Sequence, residues 1–204
     1  MDVAVIDYGM GNLTSVVNAF SSLGIDARIC ASPEELNDAP RLVLPGVGAF
    51  PDGMRGLRER GWIPALESHA RDRRKPLLGL CLGMQLLATV GEEHGEEKGL
   101  DWIGGRVVRF TADDPALRVP HVGWNDVHFS RQPGPFGELR SEETFYFVHS
   151  YVFDPDDDSD VVGTCDHGGM FAACLQRDNI FATQFHPEKS QKAGLTLLGS
   201  FARL

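Results

Sequence analysis

The chain of 204 residues is 42% hydrophobic and 24% charged, the balance of a water-soluble globular domain rather than a disordered or membrane-embedded chain. A formal charge of −10 repels phosphate backbones, so no nucleic-acid partner is expected, and no apolar run approaches the ~20 residues of a membrane span. The four cysteines, Cys30, Cys81, Cys165 and Cys174, form no C-x-x-C pair, which argues against zinc or dithiol chemistry and for reduced thiols in the cytoplasm.

The first residues, MDVAVIDYG, lack the basic start and long apolar stretch of a signal peptide. VAVIDY (3–8) reads as a strand that ends at the turn G-M-G-N. Leu13, Val16, Val17, Phe20 and Leu23 then recur at helical spacing. IDARIC (25–30) reads as a second strand, followed by a short helix opened by Ser32, Pro33 and the capping-box residue Glu35. RLVL (41–44) is a third strand that runs into P-G-V-G. A polar helical region from 52 to 74 is expected to break near Gly61 and Pro64, and its basic end RDRRK (71–75) reads as a solvated helix end. PLLGL (76–80) is a fourth strand, followed by a helix predicted over 82–90. After the solvated loop GEEHGEEKG, short segments such as RVVRF, WNDVHF, TFYFVHSYVF, VVGTCD, GMFAACLQ and IFATQF predict an antiparallel or mixed half. An amphipathic helix over 190–204 closes the chain. One α/β domain, residues 1–204, is the economical reading.

Alternating strands and helices imply parallel strands whose carboxyl ends share one edge of the sheet. G-M-G-N, P-G-V-G, Cys81 and H-P-E each follow an apolar strand. If the last strand joins the sheet in parallel, all four meet at that edge. Cys81 sits in G-x-C-x-G between strand and helix, where a sharp turn lifts a nucleophile above the sheet and the helix N-terminus favours a thiolate. A lone cysteine in an apolar setting is usually an inert packing residue. His186 and Glu188, two apart and stiffened by Pro187, supply the imidazole base and the carboxylate that fixes its tautomer. The glycine-rich Pro45–Gly48 turn can aim backbone N–H groups at developing negative charge. G-M-G-N lacks the third small residue of a dinucleotide fingerprint, because Thr14 stands there. Trp62, Trp102 and His149 read as buried structural residues. The residues alone leave two readings open: an α/β cysteine hydrolase built on Cys81, His186 and Glu188, and a non-catalytic binding module with a nucleotide at the strand edge.

GLCLGMQLL and QFHPEKS resemble the nucleophile elbow and His-Glu loop of the triad-type (class I) glutamine amidotransferases. LPGVGAF, PHVGWN and YFVHSY, in that order, look like the glutaminase subunits of imidazole glycerol phosphate synthases. The resemblance implies a flavodoxin-like α/β fold: a mixed, mostly parallel central sheet with helices on both faces and an antiparallel C-terminal extension. It implies Cys81 as nucleophile, His186 as proton carrier and Glu188 as its orienter. The N–H groups of Val47 and Leu82 would hold the oxyanion, and Gly48, Gln85, Glu93, Ser150 and Tyr151 would hold glutamine. Trp124, Asn125, Tyr146 and Lys189 would line the interface with a separate (β/α)₈-barrel cyclase, a heterodimer partner that a barrel of ~250 residues requires. No metal or cofactor is expected. Val47 between two glycines makes a peptide flip cheap, although a β-branched residue at positive φ is strained. The isolated chain is therefore expected to rest with the Val47 N–H turned away and to be activated by docking.

Overall fold

The computed structural model describes residues 2–36, 39–112 and 117–204. In chain order the elements begin with β1 (Val3–Ile6), α1 (Leu13–Ser22), β2 (Ala27–Cys30) and β3 (Leu42–Leu44). Next come α2 (Phe50–Glu59), α3 (Trp62–Leu66), β4 (Leu77–Leu80), α4 (Leu82–Gln85), β5 (Val90–Gly91), β6 (Glu97–Lys98) and β7 (Gly105–Arg109). The second half carries β8 (His121–Phe129), β9 (Glu142–His149), β10 (Tyr151–Pro155), β11 (Val161–Asp166), β12 (Met170–Arg177), β13 (Ile180–Thr183) and α5 (Gln191–Phe201).

Nine strands form the main sheet in the order β2-β1-β3-β4-β13-β12-β11-β8-β9. β2, β1, β3, β4 and β13 are mutually parallel, with Thr183 paired to Leu80. β12, β11, β8 and β9 extend the sheet antiparallel. The apolar strands β1, β3, β4 and β13 are buried on both faces, while the edge strand β2 exposes Arg28 and Ile29. Ala4, Ile6, Leu42, Leu44 and Leu77 pack toward α2 and α3, through Phe50, Met54, Leu57 and Trp62. Their neighbours Val3, Val5, Val43, Leu78 and Leu80 face the opposite core, with Phe20 of α1 and Leu197, Leu198 and Phe201 of α5. A small sheet, β10-β7-β5-β6, packs beside this frame.

Several elements differ from the sequence reading, among them the expected loop GEEHGEEKG, which carries Gly91 of β5 paired antiparallel to β6. Pro64 does not break the polar helix; it lies in the first turn of α3, where a missing N–H is harmless, and the break falls at Gly61 with φ +69°. The helix after Cys81 stops at Gln85 instead of 90. The carbonyls of Leu86, Leu87 and Ala88 are taken by the N–H groups of Leu100, Trp102, Ile103 and Asp101, so they cannot continue a helical ladder. TFYFVHSYVF is not one strand: β9 ends at His149 in the main sheet, and β10 begins at Tyr151 in the small one.

Candidate active site

Cys81 is the hinge between β4 and α4 and takes φ +52°, ψ −106°, a conformation L-residues rarely adopt. Its N–H donates to the Thr183 carbonyl at 2.8 Å, and its own carbonyl accepts from Met84 and Gln85 N–H. Gly83 permits this turn, because a Cβ there would collide with the Leu44 carbonyl. The sulfur accepts a hydrogen bond from Gln184 Nε2 at 3.6 Å, and the thiol reaches the Val148 carbonyl at 3.8 Å. α4 is a single turn, so its dipole is small. Stabilisation of a thiolate therefore falls to the imidazole and amide beside it.

His186 follows β13, on the same rim as Cys81. Its backbone is pinned on both sides: its N–H donates to the Tyr146 carbonyl at 2.9 Å, and the Ser190 hydroxyl donates to its carbonyl at 2.6 Å. Nδ1 lies 2.9 Å from Glu188 Oε1, both side chains being 3% exposed. The carboxylate can only accept, so Nδ1 carries the proton and Nε2 is left to face the sulfur. That Nε2 is buried and makes no hydrogen bond of ordinary geometry among the described residues. Burial works against charge on His186, but the neighbouring Cys81 and Glu188 outweigh it and raise the imidazole from 6.5 to about 9. The other three cysteines are buried, and burial pushes Cys30, Cys165 and Cys174 upward, Cys165 to about 12. They are packing residues.

Cys81 opens on a cavity of about 320 Å³, large enough for an amino acid. Val47, Gly48, Leu82, Gln85, Glu93, Ser150 and Tyr151, all singled out from sequence, line it. Pro120, Val148 and His149 line it as well and had given no sequence signal as site residues. Gln184, the buried donor to the sulfur, was likewise missed, although it lies two residues before His186 in the same motif. Glu93 also has a structural task, accepting from the Phe50 N–H at 2.8 Å and so capping α2 from a distant loop.

The expected oxyanion donors are not both available. Leu82 N–H is committed to the Gly46 carbonyl at 3.3 Å. Tyr8 supports that loop from below with a 2.7 Å bond to the Pro45 carbonyl. Among the expected interface residues, Trp124 and Tyr146 are cross-strand partners in T-shaped contact, and Lys189 Nζ sits 5.9 Å over the Tyr146 ring. Asn125 departs from this group. As the next residue along β8 its side chain takes the opposite face, bonding the Asp166 carbonyl and His121 Nε2. The G-M-G-N turn is also no nucleotide cradle: a Cβ at Gly9 would meet the Arg60 guanidinium 2.9 Å away, and Arg60 and Trp62 are bonded to Asp7. Among the described residues no cluster of side chains could hold a metal, and no helix is long and apolar enough to cross a membrane.

The chain matches the family model "Glutamine amidotransferase class-I" over residues 4–201. It is 48% identical over 203 residues to the imidazole glycerol phosphate synthase subunit HisH of Syntrophotalea carbinolica, covering 98% of each chain. It is 47% identical to the subunit of that name from Zymomonas mobilis, covering 98% of this chain and 94% of that one. Among solved structures, one described as a glutamine amidotransferase superposes over the whole of both chains with a TM-score of 0.78 at 20% identity, a likeness of fold. With the fold, the motifs and these relatives in agreement, the chain belongs to the class-I glutamine amidotransferase family and, within it, to the HisH group.

Proposed function

We propose that this chain is the glutaminase subunit of an imidazole glycerol phosphate synthase in histidine biosynthesis. It hydrolyses glutamine to glutamate and passes the ammonia to a separate (β/α)₈-barrel cyclase, which forms imidazole glycerol phosphate and an aminoimidazole carboxamide ribotide. The observation that carries this reading is a thiol on a strained strand-to-helix turn, beside an imidazole fixed by a buried carboxylate, at the wall of a cavity sized for an amino acid. His186 takes the Cys81 proton and the sulfur attacks the side-chain amide carbon, placing the charge on its oxygen. The proton then goes to the amide nitrogen, the carbon–nitrogen bond breaks, and ammonia leaves a γ-glutamyl thioester. Water, deprotonated by His186, cleaves the thioester to glutamate and restores the thiol. Glu93, Gln85 and the Ser150–Tyr151 wall hold the substrate.

The resting loop supports control by the partner. Turning the Gly46–Val47 peptide removes the Gly46 carbonyl from Leu82 N–H and brings the Val47 N–H inward. One rotation thus exposes both donors, and without them the rate falls by about 10² to 10³. Trp124, Tyr146 and Lys189 form the surface on which the cyclase docks.

Ammonia and glutamate release from glutamine, measured with the cyclase present and beside a peptide substrate, tests the reading. Cys81→Ala is expected to lower glutamine turnover by more than about 10⁴-fold, with no peptide cleaved by either form. Turnover that survives the substitution, or preferential peptide hydrolysis, overturns it.

A further inference from the structure

We propose that His121 and His149 are positioning residues that hold the glutamine pocket and the Cys81 sulfur through a hydrogen-bond network whose two arms meet at the Tyr151 carbonyl, with every donor and acceptor fixed. The inference rests on the glutaminase reading above and concerns a pair of histidines that the hydrolysis itself does not use.

The direction follows from chemistry at each link. His149 Nδ1 lies 3.0 Å from the Tyr151 carbonyl. A carbonyl only accepts, so Nδ1 carries the proton and Nε2 is an acceptor. His149 Nε2 lies 3.0 Å from His121 Nδ1, which must therefore be the donor. His121 Nε2 is then an acceptor as well, and Asn125 Nδ2 approaches it at 3.4 Å. The same amide group donates to the Asp166 carbonyl at 2.8 Å, and Asn125 Oδ1 accepts the Asp126 N–H at 2.8 Å, which fixes the amide's orientation. Both imidazoles are thereby held as the Nδ1–H tautomer, with no choice left at any atom.

The second arm begins at the same Tyr151 carbonyl. That oxygen also accepts from Gln85 Nε2 at 3.0 Å, and the second N–H of the same amide donates to Gln184 Oε1 at 3.0 Å. Gln184 Nε2 in turn donates to the Cys81 sulfur. His121, His149, Gln85 and Gln184 are 2%, 6%, 5% and 0% exposed, so water does not compete for these bonds. Protonating either histidine would put two donors face to face. Burial, first of all, holds both imidazoles neutral, His121 down at about 4 and His149 at about 3, with the like charges of neighbouring histidines adding to it. His121 is also clamped between the rings of Phe147 and His167, stacked at 4.8 and 3.9 Å. Tyr151 lines the pocket at the point where β9 leaves the main sheet and β10 enters the other. The ladders hold His149 and Tyr151 on either side and Phe110 N–H holds the Ser150 carbonyl, and the histidine pair adds the side-chain tie at the Tyr151 carbonyl.

Two measurements on the full chain test this. Nitrogen-15 NMR of the imidazoles near neutral pH is expected to show a protonated Nδ1 and a bare Nε2 at both His121 and His149; an Nε2–H tautomer at His149 overturns the proposal whatever the enzyme does. With the cyclase present, His121→Phe, which cannot donate to His149, is expected to raise KM for glutamine about tenfold while kcat changes by less than about threefold. His121→Asn keeps a donor where Nδ1 stood and is expected to restore KM to within about threefold of wild type. Unchanged KM in His121→Phe, or no rescue by asparagine, rejects the positioning role. A wild type that fails to hydrolyse glutamine would reject the glutaminase reading and leave the tautomer result standing.

Discussion

Glu188 gives one carboxylate oxygen to His186 and keeps the other, Oε2, buried without a hydrogen-bond partner among the described residues. A buried charge with half its bonding unmet is tolerable only beside a cation or a strong donor, so fold stability depends on His186. The imidazole is raised from 6.5 to about 9. A raised value stabilises the fold fully below 6.5 and loses that contribution as pH climbs through about 9. Glu188→Gln should therefore melt below wild type by about 5 °C or more near pH ~6, with the gap narrowing toward pH ~10. Calorimetry across that range checks the sign: a gap that widens with pH refutes it. The same variant should lower kcat for glutamine by roughly 10²- to 10⁴-fold, since the imidazole loses the group that fixes its tautomer.

At the scale of elements, the Pro45–Gly48 turn is the movable part. Flipping its central peptide drives Val47 toward positive φ, which costs a β-branched residue about 1–2 kcal/mol. Val47→Gly removes that cost and should raise glutamine turnover of the isolated chain by about 5- to 30-fold. Val47→Pro deletes the N–H and should reduce turnover in the presence of the cyclase by about 10²- to 10³-fold. Steady-state kinetics with and without the cyclase separates these, and equal basal rates for Val47→Gly and wild type would refute the strained flip. This turn, the elbow and the parallel strands were legible because each is written in local residues: Gly46, Gly48, Gly79 and Gly83 around short apolar runs. What was illegible is non-local. The early end of α4 comes from carbonyls claimed by residues 100–103, and no propensity around Gln85 foretells it. Gln184 reads as a strand residue until its partners Gln85 and Cys81 are in view. The commitment of Leu82 N–H to the Gly46 carbonyl is invisible in the two separate motifs, LPGVGAF and GLCLGMQLL, that carry these residues.

The whole molecule divides its labour along the main sheet. The parallel half presents Cys81 and His186 at its carboxyl edge, and the antiparallel half carries the surface proposed to meet the cyclase. Trp124, in T-shaped contact with Tyr146, is a large apolar group left 48% exposed. Trp124→Ala should weaken association with the cyclase by about tenfold or more, measured by titration calorimetry, while Arg203→Ala, at an exposed position just past α5, should leave it unchanged. An identical dissociation constant for Trp124→Ala would move the interface elsewhere. The position of β13 has a consequence for biosynthesis. This late segment is zipped between β4 and β12, and it delivers both the carbonyl that holds Cys81 N–H and the imidazole beside the sulfur. A nascent polypeptide still short of it has a gap in the middle of its sheet and an elbow with no base. On the ribosome the thiol thus stays unarmed until β13 and His186 have been made, and a product truncated before them carries the nucleophile without the means to use it.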